Sequence, residues 1–305
     1  MSFADYKNQS ELLLRVLPSV MKEDCFALKG GTAINLFVRN MPRLSVDIDL
    51  TYTPIKDRET SLKEIDEALG RMSSSIEALV PGTKIQGQKG PHSRRLKSLL
   101  VLKAGASVKI EPNLVIRGAV YPWNERYLVN TAEKFFNFSV SARILSIADL
   151  YGGKICAALD RQHPRDLFDV KVLFESESLT KEIRKAFVVY LASHDRPMHE
   201  LLSPTLKDIR AVFDTDFADM TREPVGYKDL LETRKKLIAM ILRDLTQSER
   251  QFLLSVKRGE PDWTFLGLKG IDQFPAIQWK LRNIRKMEKN KHRQQLDALR
   301  SRLGL

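Results

Sequence analysis

The sequence predicts an α/β (α+β) protein: a small mixed sheet flanked by helices over residues 1–175, then a mostly helical region over 176–305. Three observations carry this. Apolar and polar residues alternate with period two over 44–50 and at Val108, Ile110 and Leu114 within 106–115, as half-buried strands require, and 95–103 reads as the strand paired with the latter across Ala104-Gly105. From Thr180 onward the apolar residues recur at helical spacing, giving approximate helices at 180–193, 204–213, 225–245 and 247–257. Between these regions, 146–160 and the segment opening at Pro164 read as two further helices.

Composition narrows the class. The 305 residues are 43% hydrophobic and 29% charged, ordinary for a folded protein. The formal charge of +12 is not ordinary, and it favours a polyanionic partner such as nucleic acid over simple solubility. Cys25 and Cys156 are the only cysteines, which excludes a disulfide framework or zinc spacing and suits two reduced thiols. The first 25 residues carry charges throughout with no signal-like apolar run, and no stretch is long enough to span a bilayer. The expectation is a soluble, cytoplasmic protein without membrane contact.

In chain order, residues 3–21 form an amphipathic helix whose stripe is Leu12, Leu13, Val16, Leu17, Val20 and Met21, with Pro18 as a kink or stop. Phe26, Ala27 and Leu28 then run into Gly30-Gly31, and 32–38 shows helical spacing at Ala33, Ile34, Phe37 and Val38 before Pro42. A glycine pair opening a helix lets a phosphate approach bare N–H groups at the positive end of the helix dipole. Asp47 and Asp49 fall on one strand face and Ile48 on the other. Two carboxylates one strand period apart suit a hard cation such as Mg²⁺. A solvated edge strand is the plain alternative, but glycine pair and acid pair in this order favour a nucleoside triphosphate (NTP) site with its metal.

Residues 51–60 read as a turn and 61–79 as a helix, with Ser61 and Glu64 in capping-box positions. A Gly/Pro-rich loop at 81–93 leads to a hairpin of 95–103 and 106–115 turning at Ala104-Gly105, with Pro112 ending its second strand. Glu111 on that strand can serve as the third carboxylate of a nucleotidyl-transfer site, or form an exposed cross-strand pair. In 146–160, Gly152-Gly153 weakens the helix by roughly 1 kcal/mol per glycine, which a close ligand or backbone would rationalise. Lys154 there either faces solvent or reaches a triphosphate. Pro164 suits the first position of the next helix, Asp166 its dipole, and Arg165 and Asp169 are spaced to pair on its surface. Asp214, Asp216 and Asp219 lack the EF-hand glycine and terminal glutamate, and read as a loop or cap cluster. Trp263, Phe265, Phe274, Ile277 and Trp279 are expected mostly in the core. A basic helix, 280–302, closes the chain as a solvated surface or an RNA-phosphate surface.

GGTAINLFVRNMPRLSVDIDL resembles the first motif of the DNA polymerase β-like nucleotidyltransferases. Lys29-Gly30-Gly31-Thr32-Ala33 and Arg43-Leu44-Ser45-Val46-Asp47-Ile48-Asp49-Leu50 resemble more narrowly the AbiEii/AbiGii toxin family, including its MenT-type members, which modify transfer RNA. Lys154 followed by Arg165-Asp166-Leu167-Phe168-Asp169 resembles that family's second signature, with phenylalanine where tyrosine is frequent. The resemblance implies a polymerase β-like core over 1–175. It implies a triphosphate cradle of Gly30, Gly31 and Thr32 and an Mg²⁺ site of Asp47, Asp49 and Glu111. It gives Lys154 a phosphate contact, Asp166 a catalytic or organising role, and Arg165 and Asp169 a supporting one, without choosing between Asp166 and Asp169 as the essential acid. The implied reaction moves a nucleoside monophosphate from an NTP to RNA, the 3′ end of tRNA, arresting growth unless a cognate antitoxin intervenes. Nucleotidylation of a protein and non-catalytic nucleic-acid binding are the other readings.

Overall fold

The structure, a computed structural model, describes residues 2–90 and 94–305. The chain forms two compact units, one of Met1–Ser146 with Asp214–Val225, the other of Ile147–Phe213 with Gly226–Leu305.

The first unit runs α1 (Phe3–Val20), β1 (Phe26–Lys29), a short α2 (Gly30–Thr32) continuing as a π-helical turn (Ala33–Val38), β2 (Asp47–Tyr52) and α3 (Arg58–Leu79). It continues with β3 (Lys84–Lys89), β4 (Leu96–Lys103), β5 (Ala106–Asn113), β6 (Asn124–Tyr127), α4 (Asn130–Phe136) and β7 (Ser141–Ile144). The strands make one mixed sheet in the order β3-β4-β5-β2-β1-β7-β6. β2 runs parallel to β5 and β1 parallel to β7, and the other neighbours are antiparallel. This puts β2, with its two aspartates, between β1 and β5 near the middle of the sheet.

Local chemistry accounts for the elements. Ser2 and Asp5 form a capping box at the start of α1. Pro18 falls in the last turn of α1, where it costs one ladder bond without ending the helix early. Leu13, Val16, Leu17 and Val20 are fully buried, and α1 packs on β5 and α3. Ala104 and Gly105 both take positive φ, +47° and +82°, the backbone of a tight hairpin turn.

Three boundaries differ from the sequence reading. Residues 84–89 form an edge strand rather than loop, its side chains mostly exposed and a lysine at each end. Residues 91–93 of the expected loop lie outside the described residues. α3 begins at Arg58, because Asp57 accepts from Thr60 N–H and so takes the capping role expected of Ser61. β5 continues through Pro112, whose missing N–H is tolerated because β4 stops pairing at Ile110.

The second unit is helical: α5 (Ile147–Asp160), α6 (Pro164–Ser176), α7 (Lys181–Ser193), α8 (Met198–Leu202), the start of α9 (Arg210–Asp216), whose last residues belong to the first unit, then α10 (Tyr227–Asp244), α11 (Gln247–Arg258), α12 (Pro275–Arg285) and α13 (Lys289–Leu303). A Cβ on Gly152 would stand 2.7 Å from the backbone nitrogen of Phe187 in α7, whereas one on Gly153 would meet nothing within 4 Å. Close passage of another backbone therefore explains Gly152. The basic closing helix is two helices, because the Glu288 side chain accepts from Asn290 and Lys291 N–H and starts α13 anew. Phe274 and Ile277 are buried as expected, but Trp279 is 51% exposed and Phe265 37%. Cys25 and Cys156 are free thiols. Among the described residues no helix is long and apolar enough to cross a membrane.

Candidate active site

β1 delivers the chain to Gly30, which turns with φ +72°, a backbone open to glycine at little cost. A Cβ there would lie 2.3 Å from Asp49 Oδ2, so the carboxylate rests against the bare α-carbon. At Gly31 a Cβ would lie 2.4 Å from the Arg43 guanidinium. Each glycine thus makes room for one ionic side chain, a more specific demand than a general phosphate approach.

Thr32 ties the helix start to the acidic strand. Its hydroxyl lies 2.5 Å from the Asp47 carbonyl and 2.8 Å from Ser45 Oγ. Asn35, fully buried, donates to the Gly31 carbonyl at 2.9 Å. The turn from Ala33 to Val38 buries every residue except Val38, and its π geometry is a form frequent at functional sites. Arg43, 2% exposed, donates to the Leu44 carbonyl and reaches Met220 Sδ at 3.7 Å. The segment 214–225 returns to this unit by pairing Leu44 N–H with the Met220 carbonyl and Arg222 N–H with the Pro42 carbonyl.

The β2–β5 register sets Asp49 beside Glu111 and Asp47 beside Lys109. Asp47 and Asp49 are half-buried, with Ile48 and Leu50 on the buried face. Glu111 is exposed and its Oε2 lies 2.6 Å from Lys109 Nζ. The sheet thus sets all three acids on neighbouring positions of two adjoining strands.

The remaining predicted residues belong to the second unit. Lys154 is buried, with its ammonium 2.9 Å from Asp166 Oδ1 and 2.9 Å from Asp169 Oδ2. Arg161 adds an ion-pair contact to the other Asp166 oxygen at 2.8 Å, though without hydrogen-bond alignment. Burial pushes the Asp166 carboxyl up, but the charges of Lys154 and Arg161 outweigh it and hold the group below its usual range. Asp169, expected at the surface opposite Arg165, is fully buried and turned to Lys154. Arg165 lies in the first turn of α6, where His163 caps its N–H.

A family model described as nucleotidyl transferase AbiEii toxin, type IV toxin–antitoxin system, matches residues 11–283. The chain belongs to the AbiEii toxin family. Among solved structures, MenT4, the nucleotidyltransferase toxin Rv2826c from Mycobacterium tuberculosis H37Rv, is similar with a TM-score of 0.59. The match has 19% identity and covers 92% of this chain and 93% of that one. At that identity the likeness concerns the fold, which is the MenT nucleotidyltransferase fold. No curated protein sequence matches.

AbiEii membership implies an NTP substrate, a divalent metal ion and a cognate antitoxin. Asp47, Asp49 and Glu111 fit such an ion in kind, since they offer only carboxylate oxygens, the ligands a hard cation takes. Among the described residues no three acids, histidines or cysteines stand together in a group that could hold a metal ion. Arg43, Asn35 and Arg161 contribute to these arrangements without having been singled out from sequence. Arg43 stands inside the quoted AbiEii motif, and that was the one available signal.

Proposed function

We propose that this AbiEii toxin transfers a nucleoside monophosphate from an NTP to a hydroxyl of an RNA acceptor, the 3′ end of tRNA, with release of pyrophosphate, and so blocks translation and growth. The observation that supports the reading is the register of Asp49 with Glu111 while Asp49 rests on Gly30.

In this reading the backbone N–H groups of Gly30, Gly31 and Thr32 receive the triphosphate at the helix start. Asp47, Asp49 and Glu111 hold Mg²⁺, which when bound supplies Lewis-acid stabilisation of phosphate charge. Asp47 or Glu111 accepts the proton of the attacking hydroxyl. Lys154 and Asp166 are assigned catalytic roles, and Arg165 a nucleotide-binding one, on the family resemblance. Asp166 and Asp169 fix the Lys154 ammonium within its own unit.

We assign transfer chemistry to residues 1–175 and RNA contact to the helical 176–305. The net charge of +12 and the exposed Lys289, Lys291, Arg293, Arg300 and Arg302 of α13 support an RNA partner. Such a substrate puts the protein's work in the cytoplasm, under the control of its antitoxin.

The test is incubation with each alpha-labelled NTP, Mg²⁺ and total tRNA, beside Asp49→Ala. Label on tRNA that the variant does not transfer supports the proposal. Label on a protein band in lysate selects protein nucleotidylation instead. RNA binding without any transfer selects a non-catalytic binding protein.

A further inference from the structure

Within the second unit, α8, α11, α12 and α13 line a cavity of about 230 Å³. Two lysines face it from buried positions: Lys280, expected on the surface as part of the basic C-terminal run, is 8% exposed, and Lys257 of α11 is 5% exposed. Lys280 donates to the carbonyls of His194, Asp195 and Arg196 at 2.6, 3.3 and 2.7 Å. Lys257 donates to Gln295 Oε1 at 2.6 Å and reaches Met287 Sδ at 3.8 Å. Among the described residues neither ammonium has a carboxylate within ion-pair distance, which is rare for a buried charge.

The acids nearby are engaged elsewhere. Asp195 accepts from Arg196 N–H and sits 2.9 Å from His194 Nδ1, and Glu200 pairs with Arg196 at 3.0 Å. Exposed Lys291 adds a third cation at the rim. Burial pushes both Lys257 and Lys280 down to about 8, which leaves them mostly charged near neutrality. Beside these cations the wall is apolar, with Met198, Ile284 and Leu299 buried.

We propose that this cavity binds a phosphomonoester dianion, the phosphoryl group meeting Lys257 and Lys291 in the field of the Lys280 charge, and a small organic body covering the methionine- and leucine-lined wall. Two buried cations and a third at the rim match a dianion better than a monoanionic carboxylate. The volume lies below the usual range for drug-sized ligands, about 300–1,000 Å³, so the occupant is small or a chain end. The cavity lies apart from the proposed catalytic residues, and of its cations only Lys291 is also among the α13 side chains offered to RNA, so Lys257 is the position that separates the two roles.

The test is calorimetric titration of the full protein with inorganic phosphate, a nucleoside monophosphate, acetate, and an RNA oligonucleotide bearing a 5′-phosphate or a 5′-hydroxyl. Lys280 staples three carbonyls and its removal endangers the fold, so the variants are Lys257→Met and Lys291→Ala, checked for native circular dichroism. The expected result is phosphate or monophosphate binding that weakens at least about 10-fold in Lys257→Met, with nucleotidyl transfer retained. Binding only of the 5′-phosphorylated oligonucleotide assigns the same phosphoryl chemistry to an RNA end. Acetate binding as tightly as phosphate, no binding of any phosphate probe up to ~10 mM, or binding unchanged in both variants overturns the proposal.

Discussion

Asp49 Oδ2 stands 2.3 Å from the point where a Cβ on Gly30 would be. The glycine and the acid therefore act as one device, since the turn at φ +72° leaves the space that the carboxylate fills. Gly30→Ala forces the carboxylate aside and strains the backbone. The account predicts at least about a 100-fold loss of transfer, the scale that a misplacement near 1 Å produces, with far-ultraviolet circular dichroism still native. Steady-state rates on labelled NTP check this.

Lys154 lies between two buried carboxylates. Lys154→Met removes the ammonium that both Asp166 and Asp169 face, and chemical denaturation is expected to show a loss of about 3–5 kcal/mol. Arg161, 62% exposed, contacts Asp166 from the surface, and Arg161→Ala is expected to cost no more than about 1 kcal/mol. The sign in acid follows from Asp166. Its folded pKa lies below the usual 3.8, so its contribution is present above that value and lost as pH falls through the folded pKa. Without Lys154 burial raises the folded pKa again, so this loss of stability in acid shrinks or reverses.

The two adjacent glycines of α5 separate two explanations of one motif. Gly152→Ala drives a methyl into the backbone of α7 and is expected to destabilise by about 1–3 kcal/mol. Gly153→Ala points into open space and is expected to stabilise by roughly 1 kcal/mol. Paired thermal melts distinguish them.

Burial, with Glu23 close by, pushes the Cys25 thiol up to about 11. Its thiolate is therefore scarce at neutral pH and grows about tenfold per pH unit below that value. Buried Cys156 is raised further, again by burial. Alkylation of the native protein is expected to be slow at pH 8, to accelerate steadily toward pH 11 at Cys25, and to leave Cys156 untouched. Mass spectrometry of labelled peptides follows both thiols.

Much of this was legible in sequence where a pattern repeats or a residue type is unusual. The alternation around Ile48 placed Asp47 and Asp49 on one face, and the buried stripe of α1 from Leu12 to Val20 followed its helical spacing, with Met21 half-buried just beyond the helix. β3 was not legible, because an exposed edge strand such as KIQGQK carries no apolar alternation. The break between α12 and α13 was hidden because Glu288, not one of the common capping residues, starts the last helix. Asp169 shows the other limit: its spacing from Arg165 suggested a surface pair, but Lys154, fifteen positions earlier, captures it in the core. Lys280 misled in the same way, because a basic run in sequence does not reveal which cation turns inward.

The central claim is that the β2–β5 register makes Glu111 the third carboxylate of the transfer site. The most direct measurement is the rate of labelled nucleotide transfer to tRNA by Glu111→Gln, which removes the charge and keeps the shape. Glu111 is exposed, so the variant is expected to fold and melt like the wild type. The account predicts a rate lower by at least about 100-fold. A variant transferring label at the wild-type rate would contradict it and reduce Glu111 to the surface partner of Lys109.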